Sequence, residues 1–379
     1  MEYRPTWCEI NLDNLIENYC NIQRHVGKDV TVMPIVKADS YGHGAVECAR
    51  ALYEEGSKCF GVAVDDEGIQ LRKNGIEAPI LIMGYTPKDH IDKIIKWGLT
   101  PTVYQVDFAR ELSKRASKAV KIHVKLDTGM GRLGFRKEES ISAIMEIAGM
   151  KNIEIEGIFS HFAVSDQRDK TYSYRQLRIF EETILDLEKM GLNIPIKHMA
   201  NSGGIIDIKE SHYDMVRPGI MLYGLMPSEE VGRDSVKLKP VKAFFTRIAH
   251  IKYIYPGESV SYGRTYIAKK KMLVATLPVG YADGYSRLLS NKAQVVIKGK
   301  RYPVIGTVCM DQIIVDITGS KDLAVGDKVV LYGEGLPIEE IAEHMGTINY
   351  EISCMTKERV PKVYIKEGVV HKVVNPIVE

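Results

Sequence analysis

The stretch "MVRPGIMLYG" (Met215 to Gly224) decides the fold. It is the eighth short apolar or β-branched run counted along the chain. Eight is the number that closes a parallel sheet into a (β/α)8 barrel of the TIM type instead of leaving it open. Working back toward the amino terminus, the other runs are "IPIKHMA" (194–200), "IEIEGIFSHFA" (153–163), "VKIHVKLDT" (120–128), "TPTVYQ" (100–105), "PILIMG" (79–84), "CFGVAV" (59–64) and "VMPIVKA" (32–38). Amphipathic stretches such as "GAVECARALYEEG", "PKDHIDKIIKWG" and "RQLRIFEETILDLEKMG" lie between them, several closed by a glycine that suits a helix C-terminus. An open doubly wound sheet is the alternative for such βα repeats; the strand count favours the barrel.

Beyond "LYGLMPSEEVGRDS" (Leu222 to Ser235) the texture changes to alternating strands and tight turns, interrupted by one helical pattern, "IEEIAEHMG". This predicts a barrel over residues 1–230 and a C-terminal mostly-β domain over 231–379. Charge is balanced, 51 Lys plus Arg against 49 Asp plus Glu, with the signs interspersed, so no nucleic-acid or membrane partner is expected. The six cysteines are scattered without metal spacing, no metal site is expected, and no signal peptide or membrane span is legible. The expected location is cytoplasmic.

In a barrel, chemistry sits at the C-terminal strand ends. Lys37 ends the first run, Arg132 follows the fifth, His161 closes the sixth, Asn201 and Ser202 follow the seventh, and Arg217 lies in the eighth. Each alone has an ordinary reading: a snorkelling lysine, a satisfied histidine, an arginine paired with Glu138, Glu139 or Asp214. Together they share one rim. A desolvated lysine loses its proton more readily, and the neutral amine adds to aldehydes. The glycines of "NSGG" and "RPGI" allow backbone N–H groups to approach an anion. An aldehyde-seeking lysine beside a phosphate cradle points to pyridoxal 5′-phosphate.

Nine segments in order, "IVKADSYGHG", "KLDTGMGRLGF", "SHFA", "HMANSGG", "RPGIMLYG", "VSYGRTY", "PVGYADG", "VCMDQ" and "INYEISC", resemble the alanine racemase family from about Val32 to Cys354. The resemblance implies a homodimer, packed head to tail, that interconverts L- and D-alanine and supplies D-alanine for peptidoglycan. It implies that Lys37 carries the cofactor as an imine and then serves as one base, with Tyr262 of a second subunit as the other. Tyr41, Ser202, Tyr350 and the Gly219–Ile220 backbone would hold the phosphate, with Asn201 and His161 beside the cofactor. Arg217 would face the pyridine nitrogen, and Arg132 the phenolic oxygen and substrate carboxylate. Tyr281 and Met310 would line the substrate entrance, and Lys125 resembles a lysine that is carbamylated in some relatives.

Two departures stand out. Asp39 and Ser40 replace an expected Asn and Ala, and Thr307 stands where many relatives have an arginine at the entrance, which opens serine or a basic amino acid as substrate. Rival readings are a decarboxylase on the same fold, which would need a carboxylate at Arg217, and a non-catalytic carrier of the cofactor, which would have no use for Tyr262 or Arg132.

Overall fold

The computed structural model describes residues 3–232 and 234–378. They form two compact units, one of residues 14–40 and 45–239, the other of residues up to 13, 41–44 and 240 onward.

The first unit is the barrel. Its strands are Thr31–Val32, Phe60–Val62, Ile80–Ile82, Thr100–Val103, Val120–Lys125, Ile153–Phe159, Ile196–His198 and Met215–Val216; the first begins one residue before its run at 32–38, and the other seven lie within theirs. The six middle strands pair in parallel in chain order. The ring closes through Thr31 opposite Met215, through the bridge from Ile35 to Gly61, and through the bonds from Asp214 N to Lys197 O (3.1 Å) and Arg217 N to Ala200 O (3.0 Å). Parallel strands covered on both faces are largely apolar. Accordingly Phe60, Val62, Ile80, Ile82, Val103, Ile122, Val124 and Ile158 are fully buried, each worth about 1.5–3 kcal/mol of burial. Helices fall where the amphipathic patterns lie, including Ala45–Glu54, Ile91–Trp97, Lys137–Ala148 and Thr171–Lys189. Gly98 closes the second of these in the left-handed conformation.

The second unit is a ten-stranded sheet with two short helices, Ile338–Met345 and Asn349–Cys354. One of its strands comes from the start of the chain. Trp7–Asn11 pairs antiparallel to Lys242–Arg247 and parallel to Lys362–Lys366. Residues 3–13 therefore count with the β unit, and the chain changes unit between Lys239 and Pro240 rather than at 230/231. Trp7, Cys8 and Ile10 are all buried and Glu9 and Asn11 half-buried, an alternation over only five residues that does not by itself mark the strand's distant partners. No helix among the described residues is long and apolar enough to cross a membrane.

Candidate active site

Lys37 follows Val36, which lies past the end of the first barrel strand and whose N–H donates to Gly61 O at 2.9 Å. The backbone then turns the wrong way. Ala38, Asp39, Ser40 and Tyr41 all have φ between 51° and 54°, a left-handed turn of four successive residues with side chains. Such a conformation costs about 1–2 kcal/mol per residue and persists only where its surroundings impose it. Those surroundings are specific: Ala38 N donates to Glu67 Oε1 (2.7 Å), Ser40 N to Val36 O (3.0 Å), and Ala45 N to the carboxylate of Asp39 (2.7 Å). The substitution of Asn by Asp at 39 keeps a short side-chain acceptor for that last bond.

Arg217 is the centre of the rim, with 3% of its surface exposed. Its guanidinium donates to His198 Nδ1 (2.9 Å), Ser160 O (2.7 Å), Met199 O (2.9 Å) and His161 Nδ1 (3.2 Å). All four acceptors are neutral, and its Nε–H makes none of these bonds. Asp214, the alternative partner weighed from sequence, instead accepts from Lys197 N at 2.7 Å. A guanidinium can only donate, so both imidazoles present a lone pair to it and hold their own proton on Nε2. Burial and the surrounding cations, Arg217 first, keep His161 and His198 well below the usual histidine range, so both rings stay uncharged.

Lys125 ends the fifth barrel strand with its ammonium 5.1 Å from the Phe159 ring, the same ring that carries Arg217 at 5.3 Å and stacks on His198 at 4.7 Å. Burial, then Arg132, Arg217 and Lys37, pushes Lys125 down to about 7. Asp127 does not cap it directly, since its Oδ1 accepts from Gly129 N and Gly131 N, each at 3.0 Å. That turn carries Arg132. It is pinned by Asp127 N to Phe135 O and Phe135 N to Lys125 O (both 2.9 Å), and a Cβ on Gly134 would strike the backbone of Leu126 and Asp127. Glu139, a partner considered for Arg132, accepts from Arg136 N in the following helix.

Asn201 caps the short helix Ser202–Asp207, accepting from Gly204 N (3.0 Å) and from Ser165 Oγ (2.6 Å). Ser202 Oγ accepts from Gly219 N at 3.1 Å, which joins the two glycine-bearing turns. The leading N–H groups of this helix and of the 3-10 turn Ile220–Tyr223 have no acceptor within their own element. A Cβ on Gly203 would lie 2.8 Å from Ser165 Oγ, so only glycine lets the backbone pack this closely.

In the β unit, Tyr41 and Tyr350 face each other with ring centroids 6.2 Å apart, and Ser353 Oγ donates to Tyr41 O at 2.8 Å. Burial pushes the Tyr41 phenol up, so it stays protonated and can donate. The buried Lys242 ammonium ties the same turn down, donating to Gly42 O (3.0 Å), Ser353 O (2.9 Å) and Thr356 Oγ1 (2.8 Å). Tyr262, Tyr281 and Met310 are of another kind: 70%, 41% and 51% exposed, they stand on interlinked loops. Ser261, at φ 64°, donates from Oγ to Thr307 O (2.5 Å), Thr307 Oγ1 donates to Tyr262 O (2.8 Å), and Tyr281 N donates to Cys309 O (3.1 Å). Beneath them, buried Asp283 accepts from Arg4, Arg359 and Gly280 N.

Residues 10–227 match the family model described as alanine racemase, N-terminal domain, and residues 241–364 that described as alanine racemase, C-terminal domain. The chain belongs to the alanine racemase family. It is 48% identical to alanine racemase 1 of Clostridium acetobutylicum, with 98% of each chain covered. It is also 48% identical to the alanine racemase of Clostridium novyi, with 99% of each covered. Among solved structures, the alanine racemase of Clostridium difficile 630 superposes with a TM-score of 0.96 at 42% identity, covering 100% of both chains. An alanine racemase from Bacillus anthracis with bound L-Ala-P gives 0.94 at 35% identity, covering 100% of this chain and 99% of that one.

As an alanine racemase, the chain is an isomerase with the barrel and β domain of its relatives. The structure gathers Lys37, Lys125, Arg132, His161, Asn201, Ser202, Arg217, Gly219 and Ile220 in the barrel unit, and Tyr41, Tyr350, Tyr262, Tyr281 and Met310 in the β unit. Sequence reasoning passed over His198, although it opens the quoted "HMANSGG", because a histidine in an apolar run reads as core. It also passed over Asp283, one acidic residue among 49. Thr307, read only as a departure at the entrance, carries the Tyr262 turn by a hydrogen bond.

Proposed function

We propose that this racemase uses pyridoxal 5′-phosphate and exchanges the Cα proton of alanine between two bases, Lys37 and Tyr262, the latter supplied by a second copy of the chain. One observation carries the reading. Lys37, Arg132 and Arg217 stand close enough to Lys125 at one barrel rim for each to depress its amine, with Asp127 acting in the opposite sense. Three cations gathered around a lysine whose own charge they suppress suit a polyanion, and the cofactor's phosphate and phenolic oxygen together with a substrate carboxylate supply that charge. The glycine-tight turn at Gly203 and the backbone at Ile220 supply donors, the Tyr41 and Tyr350 hydroxyls two more, and the free Nε–H of Arg217 suits a ring-nitrogen acceptor. When bound, the cofactor withdraws electrons from Cα and makes its proton removable.

The side chains have separate tasks. Lys37, at the strand end, holds the cofactor and receives or returns the proton on one face. Arg132 offers a planar fork to the carboxylate. Arg217 keeps its own proton, so it meets the ring nitrogen as a donor and leaves it unprotonated. That limits charge delocalisation and favours return of the proton to Cα over transamination. Because Arg217 occupies His161 Nδ1, the His161 Nε2–H faces outward as a donor toward the Tyr262 phenol of a second copy. A donor there stabilises phenolate and brings tyrosine into range as a base. Exposed Tyr262, Tyr281 and Met310 fit a role in the neighbour's site, the head-to-tail dimer expected from sequence. Lys125, uncharged in good part at neutral pH, is suited to react with carbon dioxide as a carbamate that would steady Arg132. The product, D-alanine, would serve peptidoglycan.

Optical rotation followed on L-alanine, L-serine and L-lysine tests the substrate, with carbon dioxide release as the check on decarboxylation. Alanine is expected to racemise fastest, with no carbon dioxide formed; preference for lysine, or release of the gas, contradicts the assignment.

A further inference from the structure

We infer that Glu156 and His123 are positioning residues that terminate a one-directional hydrogen-bond chain running through the barrel from Arg217. The chain is Arg217 Nη1 to His198 Nδ1 (2.9 Å) and His198 Nε2 to His123 Nδ1 (2.8 Å), both hydrogen bonds, and it ends in a longer 3.5 Å contact between His123 Nε2 and the Glu156 carboxylate. Its direction is forced. Arg217 has no lone pair to offer, so His198 accepts at Nδ1 and donates from Nε2. His123 must then accept at Nδ1, keep its proton on Nε2 and point it at an acceptor, which Glu156 provides. A charge on either imidazole would set N–H against N–H at a buried contact.

Two further observations indicate that the path is built. Gly157 stands opposite His123 in the neighbouring strand, and a Cβ there would lie 2.5 Å from His123 Nδ1, so only glycine leaves the ring its place. Glu156 is held as a carboxylate at about 2, by His123 first and then by Lys121, whose ammonium is 2.6 Å away. His123 and Glu156 also line a cavity of about 180 Å³ whose other walls include Thr31, Pro79, Thr100 and Ile196, at the beginnings of barrel strands. The negative end of the chain thus faces the barrel floor, opposite the rim. Arg217, whose hydrogen-bond partners are all neutral, gains in Glu156 a distant counter-charge relayed by two polarised rings, and a fixed plane for its guanidinium. Its relevance to racemisation rests on the reading that Arg217 faces the cofactor's ring nitrogen.

Nitrogen-15 NMR of the holoenzyme with labelled histidine tests the chain without turnover. His123 and His198 are expected uncharged with the proton on Nε2 from about pH 6 to 8. A proton on Nδ1, or a cationic ring, in either residue overturns the inference. Glu156→Leu should change the His123 signals and lower kcat about tenfold with KM within about twofold, the size typical of losing an outer partner of an active-site group. Glu156→Gln, which keeps a carbonyl acceptor, should restore the Nε2–H pattern and most of kcat. Altered His123 signals with unchanged kcat in Glu156→Leu would refute the positioning role. Arg217→Met separates the two readings: an unchanged cofactor absorption spectrum in that variant would instead refute the placement of Arg217 at the ring.

Discussion

The barrel rim and the Tyr262 loops make opposite use of their side chains. At the rim, Arg217 is buried, holds four acceptors and is fixed before any ligand arrives, whereas Tyr262 projects its ring into solvent and is held only through its backbone carbonyl. The contrast separates two jobs. A group that must stay charged and immobile is locked inside its own unit, and a group that reaches a neighbouring molecule is displayed on a braced loop.

The sharpest way to break this division is to remove one base from each region. Lys37→Ala should abolish both racemisation and the visible absorption band of the bound cofactor. Tyr262→Phe should keep the band yet lower kcat by about 10³, within the range for loss of a positioned acid or base. Normal racemisation by Tyr262→Phe would show that the exposed phenol has no part in the proton transfer.

Stability should divide the regions as well. Arg217→Met strands the buried carbonyls of Ser160 and Met199 and should cost about 3 kcal/mol in denaturant unfolding. Tyr262→Phe should stay within about 0.5 kcal/mol of the parent.

Lys125 adds a pH signature to the rim. Its folded-state value is about 7, against roughly 10.4 for an unfolded lysine. Below the lower value both states are protonated and the burial penalty is fully present. Between the two the unfolded chain holds a proton the folded chain lacks, so stability climbs with pH across that window. In buffer free of carbon dioxide, Lys125→Met should flatten the climb; an unchanged slope would place its origin elsewhere. Labelled carbon dioxide should give a carbamate carbon signal in the parent that is missing from the variant.

The smallest effect belongs to the brace. Thr307→Val removes the bond to Tyr262 O and should cost about 1 kcal/mol in the free energy of activation, read as a several-fold loss of kcat with the cofactor spectrum intact.

Much of this organisation was legible in the chain. The barrel strands declared themselves because buried parallel strands are largely apolar, and Lys37 and Arg132 stood out as charges just beyond their ends. What stayed hidden was hidden for physical reasons. Trp7–Asn11 crosses to a sheet built from residues more than 230 positions later, a pairing that no local period encodes. The left-handed turn after Lys37 has no glycine until Gly42, so its composition reads as an ordinary turn or helix start. His123 and His198 act as polar conductors only because two strands bring them within 2.8 Å, and a single histidine in an apolar run gives no sign of a partner 75 residues away.

Subunit exchange between Lys37→Ala and Tyr262→Phe tests the central claim most directly. Each variant alone should have little or no activity, but if the two bases come from different chains, a mixed dimer contains one intact site and one lacking both. Random reassociation of an equal mixture should then recover activity at about a quarter of the parent's sites. No recovery after demonstrated exchange would contradict the account, because it would place both bases in the same chain.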